Sequence, residues 1–152
     1  MTNLDRILAR YRDDQRTKKI TDALRAANTP PARLQLSGMA GAQESFVFAG
    51  TYLADPRPQL WIANDKEEAA YFQNNLSNLL DKKPVRFFPD SFKRPMYFEE
   101  LNNTNVLERT EAINKIISPT ASPEILVTYP EALFEKVVAP HVLEETRMEI
   151  AQ

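Results

Sequence analysis

Cysteine is absent from this chain of 152 residues, and histidine occurs once, as His141. Disulfides and thiolate metal sites are therefore excluded, and one imidazole builds neither a histidine pair nor a histidine-based metal centre. No metal site is expected. Long apolar runs are missing as well, since nothing approaches the ~20 residues needed to span a bilayer. The opening residues, Met1-Thr2-Asn3-Leu4-Asp5-Arg6, lack the apolar stretch of a secretion signal. These absences predict a cytoplasmic protein without membrane contact. Excess charge of one sign is lacking too: 19 basic residues against 21 acidic ones leave a net charge of −2. No basic field advertises nucleic-acid binding. Glycine is scarce, with three residues in the chain, and two of them fall in one short window.

That window is Gly38-Met39-Ala40-Gly41-Ala42-Gln43-Glu44-Ser45. Set against G-x-x-x-x-G-K-[ST], its first Gly and final Ser fit, while Gln43 and Glu44 stand where a Gly and a Lys belong. The Lys of that motif brings positive charge to the β/γ-phosphates. A carboxylate there repels them, by several kcal/mol at about 4 Å in a partly buried site. The window reads either as a phosphate loop that has lost its chemistry or as a plain glycine turn between strand and helix. In both cases no nucleotide cofactor is expected.

The pattern around the window alternates helices and strands. Residues 3–13 and 16–27 read as two short polar helices, with Leu4, Ile7, Leu8 and Tyr11, then Ile20 and Leu24, on one face. Asn28-Thr29-Pro30-Pro31 stops them. A strand is expected near 33–36, then the loop, then a helix to about Ala54. Gln59-Leu60-Trp61-Ile62-Ala63 reads as a buried strand, with Trp61 in the core. Asn64 or Asp65 can cap a helix running to about Leu80. Val85–Phe88 is a third strand, and 90–104 is irregular. A helix at about 105–117 is expected to bury Val106, Ala112, Ile113 and Ile116. Glu124–Tyr129 is a fourth strand, and Pro130 opens a last helix to Val137. Strands alternating with helices imply βαβ units and a mainly parallel sheet covered on both faces.

Lys82, Lys83, Arg86, Lys93 and Arg94 cluster beside Tyr97 and Phe98. Such a patch can bind single strands, but a solvated loop and strand edge accounts for it more simply. Glu44, Ser45 and His141 have no spacing that would join them as a hydrolytic set, because a nucleophile needs its base within hydrogen-bond reach.

In order along the chain come Leu36-Ser37-Gly38, Gln59–Ala63, Lys66–Leu80, Arg86-Phe87-Phe88-Pro89, Pro95-Met96-Tyr97, Asn105–Arg109, Ile125–Leu133 and Val138-Ala139-Pro140. This series, over roughly residues 30–143, resembles the N-terminal part of the bacterial transcription-repair coupling factor. That part is itself similar to the first domain of the excision-repair protein UvrB. The resemblance implies a three-layer αβα fold of P-loop NTPase (RecA-like) type over residues 29–140. Residues 1–28 would be preceding N-terminal helices, and 141–152 the cut-off start of a following domain.

Residue by residue, Gly38 and Gly41 match the first two glycines of the UvrB loop and Ser45 its Thr. Gln43 and Glu44 depart from its third Gly and Lys, as the degenerate loop of coupling factors does. Arg109 matches an Arg on the family's helix, where a surface ion pair is expected. The 90–104 connection is too short for the DNA-gripping hairpin of UvrB, so no stable DNA binding is expected. The resemblance thus implies a non-catalytic module, not an enzyme. It would be linked to UvrA, RNA polymerase and other parent domains through a longer chain, in recruitment and autoinhibition during nucleotide excision repair. The other class is a nucleotide-binding or ATPase domain of a helicase-like repair protein, against which Glu44 argues.

Overall fold

The computed structural model describes residues 2–26, 33–81, 85–92, 101–117 and 124–137. The chain is mixed α/β. Its elements are α1 (Asn3–Asp13), α2 (Gln15–Ala26), α3 (Gln43–Ala54), β1 (Gln59–Ile62), α4 (Lys66–Leu79), β2 (Val85–Phe87), α5 (Asn103–Ile117), β3 (Ile125–Thr128) and α6 (Pro130–Phe134).

The helices begin where the side chains can satisfy their first amides. Thr2 caps α1 in a capping box: Asp5 N–H donates to Thr2 Oγ1 at 3.2 Å, and Thr2 N–H donates to Asp5 Oδ2 at 2.6 Å. Of the two candidates for α4, Asp65 is the cap, accepting from Glu68 N–H at 2.8 Å. Pro130 opens α6, which ends at Phe134 rather than at Val137.

The three strands form a parallel sheet in the order β1-β3-β2. Gln59–Ile62 aligns with Ile125–Thr128, and Val85–Phe87 with Ile125–Val127. Side chains alternate across the sheet. Ile125 and Val127 are fully buried on the face that also carries Trp61, which stacks on Phe72 of α4 with centroids 5.9 Å apart. The row through Arg86 and Phe88 faces α5, where Arg86 pairs with Glu111 and the Arg109 guanidinium lies over the Phe88 ring. Ala49, Ala69, Leu76, Tyr129 and Ala132 complete the core.

The two N-terminal helices pack against α3. Tyr11 stacks on Phe46 at 5.2 Å. Gly50 lies at the crossing, where a Cβ would meet the backbone of Tyr11 and Arg12 at 3.0 Å. At 93–100, outside the described residues, the connection closes at its base: Phe92 bridges Leu101, and Asn102 N–H donates to Ser91 O at 2.8 Å.

Four expectations are corrected. The segment 33–36 is not a strand; its backbone pairs with no described strand, and Leu34 and Leu36 are exposed. The strand Gln59–Ile62 is not buried but forms an edge, with Leu60 55% and Ile62 57% exposed. Leu4 and Ile7 of α1 are exposed, leaving Leu8 as its buried apolar residue. Ile116 points to solvent from α5, while Ala112 is buried. Among the described residues, no helix is long and apolar enough to cross a membrane.

Candidate functional site

The glycine window folds as a turn that feeds α3. Gly38 and Gly41 take left-handed φ values of +76° and +56°, which explains glycine at both positions. Ala42 precedes the helix and offers no side-chain cap. Gln43 folds back on the turn before the helix: its Oε1 accepts from Ala40 N–H at 3.3 Å while its own N–H donates to Ala40 O at 3.2 Å. The Gln43 amide is thus held inside the turn. Glu44 lies in the first helical turn, half-buried, and Ser45 is buried just after it.

A helix N-terminus attracts anions through its free amides and its dipole. At α3 no side chain accepts from these amides, and the nearest acidic residue in its first turn is Glu44. Burial, and secondarily the nearby Glu68, push the Glu44 carboxyl above the usual carboxylate range. Among the described residues no cation pairs with it. A phosphate arriving at this turn would find no lysine, the carboxylate of Glu44 in the first helical turn, and a glutamine bridge. Among the described residues, no buried strand leads into the loop, as one must in a phosphate loop. Gly38, Gly41, Gln43, Glu44 and Ser45 are contiguous at the start of α3, but Glu44 lines a cleft beside β1, while Gly38 and Gln43 face α1 and α2. A cleft of about 390 Å³ separates them, lined by Tyr11, Arg16, Lys19, Leu36 and Gln43. Arg16 in that cleft already pairs with Asp14 at 3.0 Å.

A second constellation lies beyond the carboxyl ends of β2 and β3, the side on which open α/β sheets bind ligands. The buried Tyr129 hydroxyl donates to Asp90 Oδ1 at 2.7 Å and accepts from Asp90 N–H at 2.9 Å. Lys66 reaches the same Oδ1 at 2.9 Å. Desolvation, then the bond to Asp90, raises the Tyr129 hydroxyl well above its ordinary value. Arg109 is 5% exposed and donates to the carbonyls of Pro89, Ala132 and Glu135, each at 2.9 Å. Burial lowers its guanidinium from the ordinary value, and Glu135 opposes that shift.

The ion pair expected for Arg109 exists, to Glu135 at 3.7 Å, but it is buried rather than on the surface, and the guanidinium acts as a strut that ties the segment after β2 to α6 and its C-terminal end. No local signal in the sequence exposes this cluster, because Asp90 and Tyr129 meet across 39 positions. Every polar group named in it has a partner within the fold, so it reads as structure rather than as a site.

The remaining candidates separate. Arg86 pairs with Glu124 at 2.6 Å and Glu111 at 3.7 Å, which makes it part of a sheet-edge ion network. Lys82, Lys83, Lys93, Arg94, Tyr97, Phe98 and His141, and the segment 141–152, lie outside the described residues. Among the described residues, no group of His, Cys, Asp and Glu is placed to hold a metal ion. No protein-family model, curated protein or solved structure matches the chain.

Proposed function

We propose that this chain is a non-catalytic, protein-contacting module of a transcription-repair coupling factor. In that reading it is a three-layer unit of degenerate P-loop type that serves as a scaffold in nucleotide excision repair. It reaches UvrA and RNA polymerase through a longer parent, and other parent domains hold it in an autoinhibited arrangement. What supports the reading is the ordered series of segments that resembles that family, together with Glu44. One observation carries the non-catalytic part: a half-buried carboxylate, further disfavoured by Glu68 and paired with no cation among the described residues, stands where nucleotide chemistry needs a lysine.

The experiment is titration of the chain with a fluorescent ATP analogue and Mg²⁺. No saturable binding is expected below about 1 mM, equivalent to about −4 kcal/mol. Micromolar affinity would return the chain to the nucleotide-binding class. The repair assignment is tested separately, by whether the gene reads on past Gln152 into a helicase-type motor with an intact G-x-x-x-x-G-K-[ST]. A gene without such a motor overturns it.

A further inference from the structure

Among the described residues, one side of the β1 backbone has no partner. Gln59 N–H donates to Glu124 O at 3.0 Å and Ala63 N–H to Thr128 O at 2.9 Å, both toward β3. Backbone groups alternate in direction along a strand, so the N–H and C=O of Leu60 and Ile62 point away from β3. No described strand occupies that side. Pro58 has the same parity, and a proline belongs where the missing N–H would have faced an open edge. The edge is therefore built into the sequence.

Beside this edge is an apolar cleft of about 460 Å³, a size typical of ligand sites. Leu60 and Trp61 form one wall and Leu34 and Leu36 another, with Phe48 and Glu44 among the remaining lining. The second wall belongs to residues 33–39, which no backbone hydrogen bond ties to another described segment. Leu34, Leu36 and Leu60 are all exposed large apolar residues. Edges with unpaired backbone groups and flanking apolar surface are the template for strand addition. The charge of the cleft selects among possible strands: Glu44 has no cation among the described residues and has Glu68 as neighbour. Its other charged lining residue, Arg57, is already bound to Asp55 and to Leu24 O.

We propose that the outer edge of β1 and its cleft receive an extended segment of another protein, with alternating apolar side chains and a lysine or arginine that meets Glu44. Main-chain bonds to Leu60 and Ile62 supply the pairing, the leucines take the apolar side chains, and Glu44 sets the preference for a basic residue. This surface does not depend on the repair reading.

The test uses the whole chain and a fluorescein-labelled hexapeptide alternating valine with threonine and lysine. Anisotropy is expected to saturate below about 1 mM peptide, and the Leu60 and Ile62 amide resonances are expected to shift. Methylating the peptide's alternate backbone nitrogens, which leaves the protein untouched, is expected to weaken binding at least tenfold. Replacing the peptide lysine by glutamate is expected to weaken it at least fivefold, and Glu44→Gln is expected to narrow that gap. Absent saturation, or equal binding by the methylated peptide, overturns the proposal. So does a lysine-to-glutamate exchange without effect. A concentration-dependent dimer whose Leu60 and Ile62 amides exchange slowly would assign the edge to a second copy. Slow exchange of those amides in the monomer would assign it to residues 33–37. Either outcome overturns the proposal.

Discussion

Gly50→Ala sets two effects of opposite sign against each other. Glycine inside a helix costs about 1 kcal/mol relative to alanine, and Gly50 lies within α3. Propensity alone therefore predicts stabilisation. The structure predicts the reverse. A methyl at this position would lie 3.0 Å from Tyr11 C and Arg12 N and 3.3 Å from Arg12 Cα. Comfortable carbon contacts begin at about 3.5 Å. The atoms in the way are backbone, so no rotamer change clears them, and α1 must move off α3. That movement loosens Leu8 and the Tyr11–Phe46 stack. Overpacking of this kind costs about 1–3 kcal/mol. Offset by the propensity gain, the net loss is about 1 kcal/mol, or about 2–4 °C in Tm for a domain of this size. Urea denaturation and thermal melting, read by circular dichroism, measure it. A variant more stable than the parent by the full propensity increment would refute the close seating of α1 on α3.

Arg109→Met is expected to cost about 3–5 kcal/mol, the range for removing one partner from a buried charged network. It deprives the carbonyls of Pro89, Ala132 and Glu135 of their donor at once. Arg109→Lys should recover little of this, because an ammonium lacks the planar fork that spans several acceptors. Chemical denaturation checks both, and a loss under about 1 kcal/mol for Arg109→Met would contradict the strut. Glu44→Gln tests the electrostatics of the loop. The folded carboxyl is raised above its unfolded value, so its contribution is fully present below the unfolded pKa, about 4.3. It is lost as pH rises through the folded value. The Tm of Glu44→Gln minus that of the parent should therefore rise from pH 4 to pH 7. A flat difference across that range would show that the carboxylate is not disfavoured in the fold.

How much of this was legible beforehand depends on whether the signal is local. The helices were, because period-3.6 patterns and caps act within a few residues. Asn64 or Asp65 marked the start of α4, and the Asp65 cap forms. The parallel βαβ character was legible from alternation alone. Pairing was not. Leu34 and Leu36 have the period of a strand, but a strand exists only with a partner, and none among the described residues lies beside them. Four apolar residues at 60–63 do not say whether a strand is central or lateral; Pro58 was the available clue. Ile116 has helical spacing compatible with two faces, and α5 turns Ala112 inward while Ile116 meets water. For the site, the turn glycines and the carboxylate at 44 were readable from sequence. The Asp90–Tyr129–Arg109 cluster was not, since it joins segments that no short-range pattern connects.

The two ends of the sheet's chemistry lead to one consequence. Parallel sheets bind ligands beyond the carboxyl ends of their strands because loops diverge there and helix N-termini point inward. In this chain Lys66, Asp90, Arg109 and Tyr129 fill that region with bonds among themselves and to carbonyls. A ligand would have to break them, and each buried group left unpaired costs about 1–3 kcal/mol. At the α3 N-terminus the first helical turn carries the carboxylate of Glu44, which repels a phosphate, and Gln43 holds the preceding turn closed. The places where such a fold usually does chemistry are thus satisfied from within. On the lateral edge of β1 the backbone groups of Leu60 and Ile62 have no described partner, and apolar surface lies beside them. If the strand-addition proposal holds, recognition in this fold runs sideways, to another strand, and the strand ends serve the fold's own bonding.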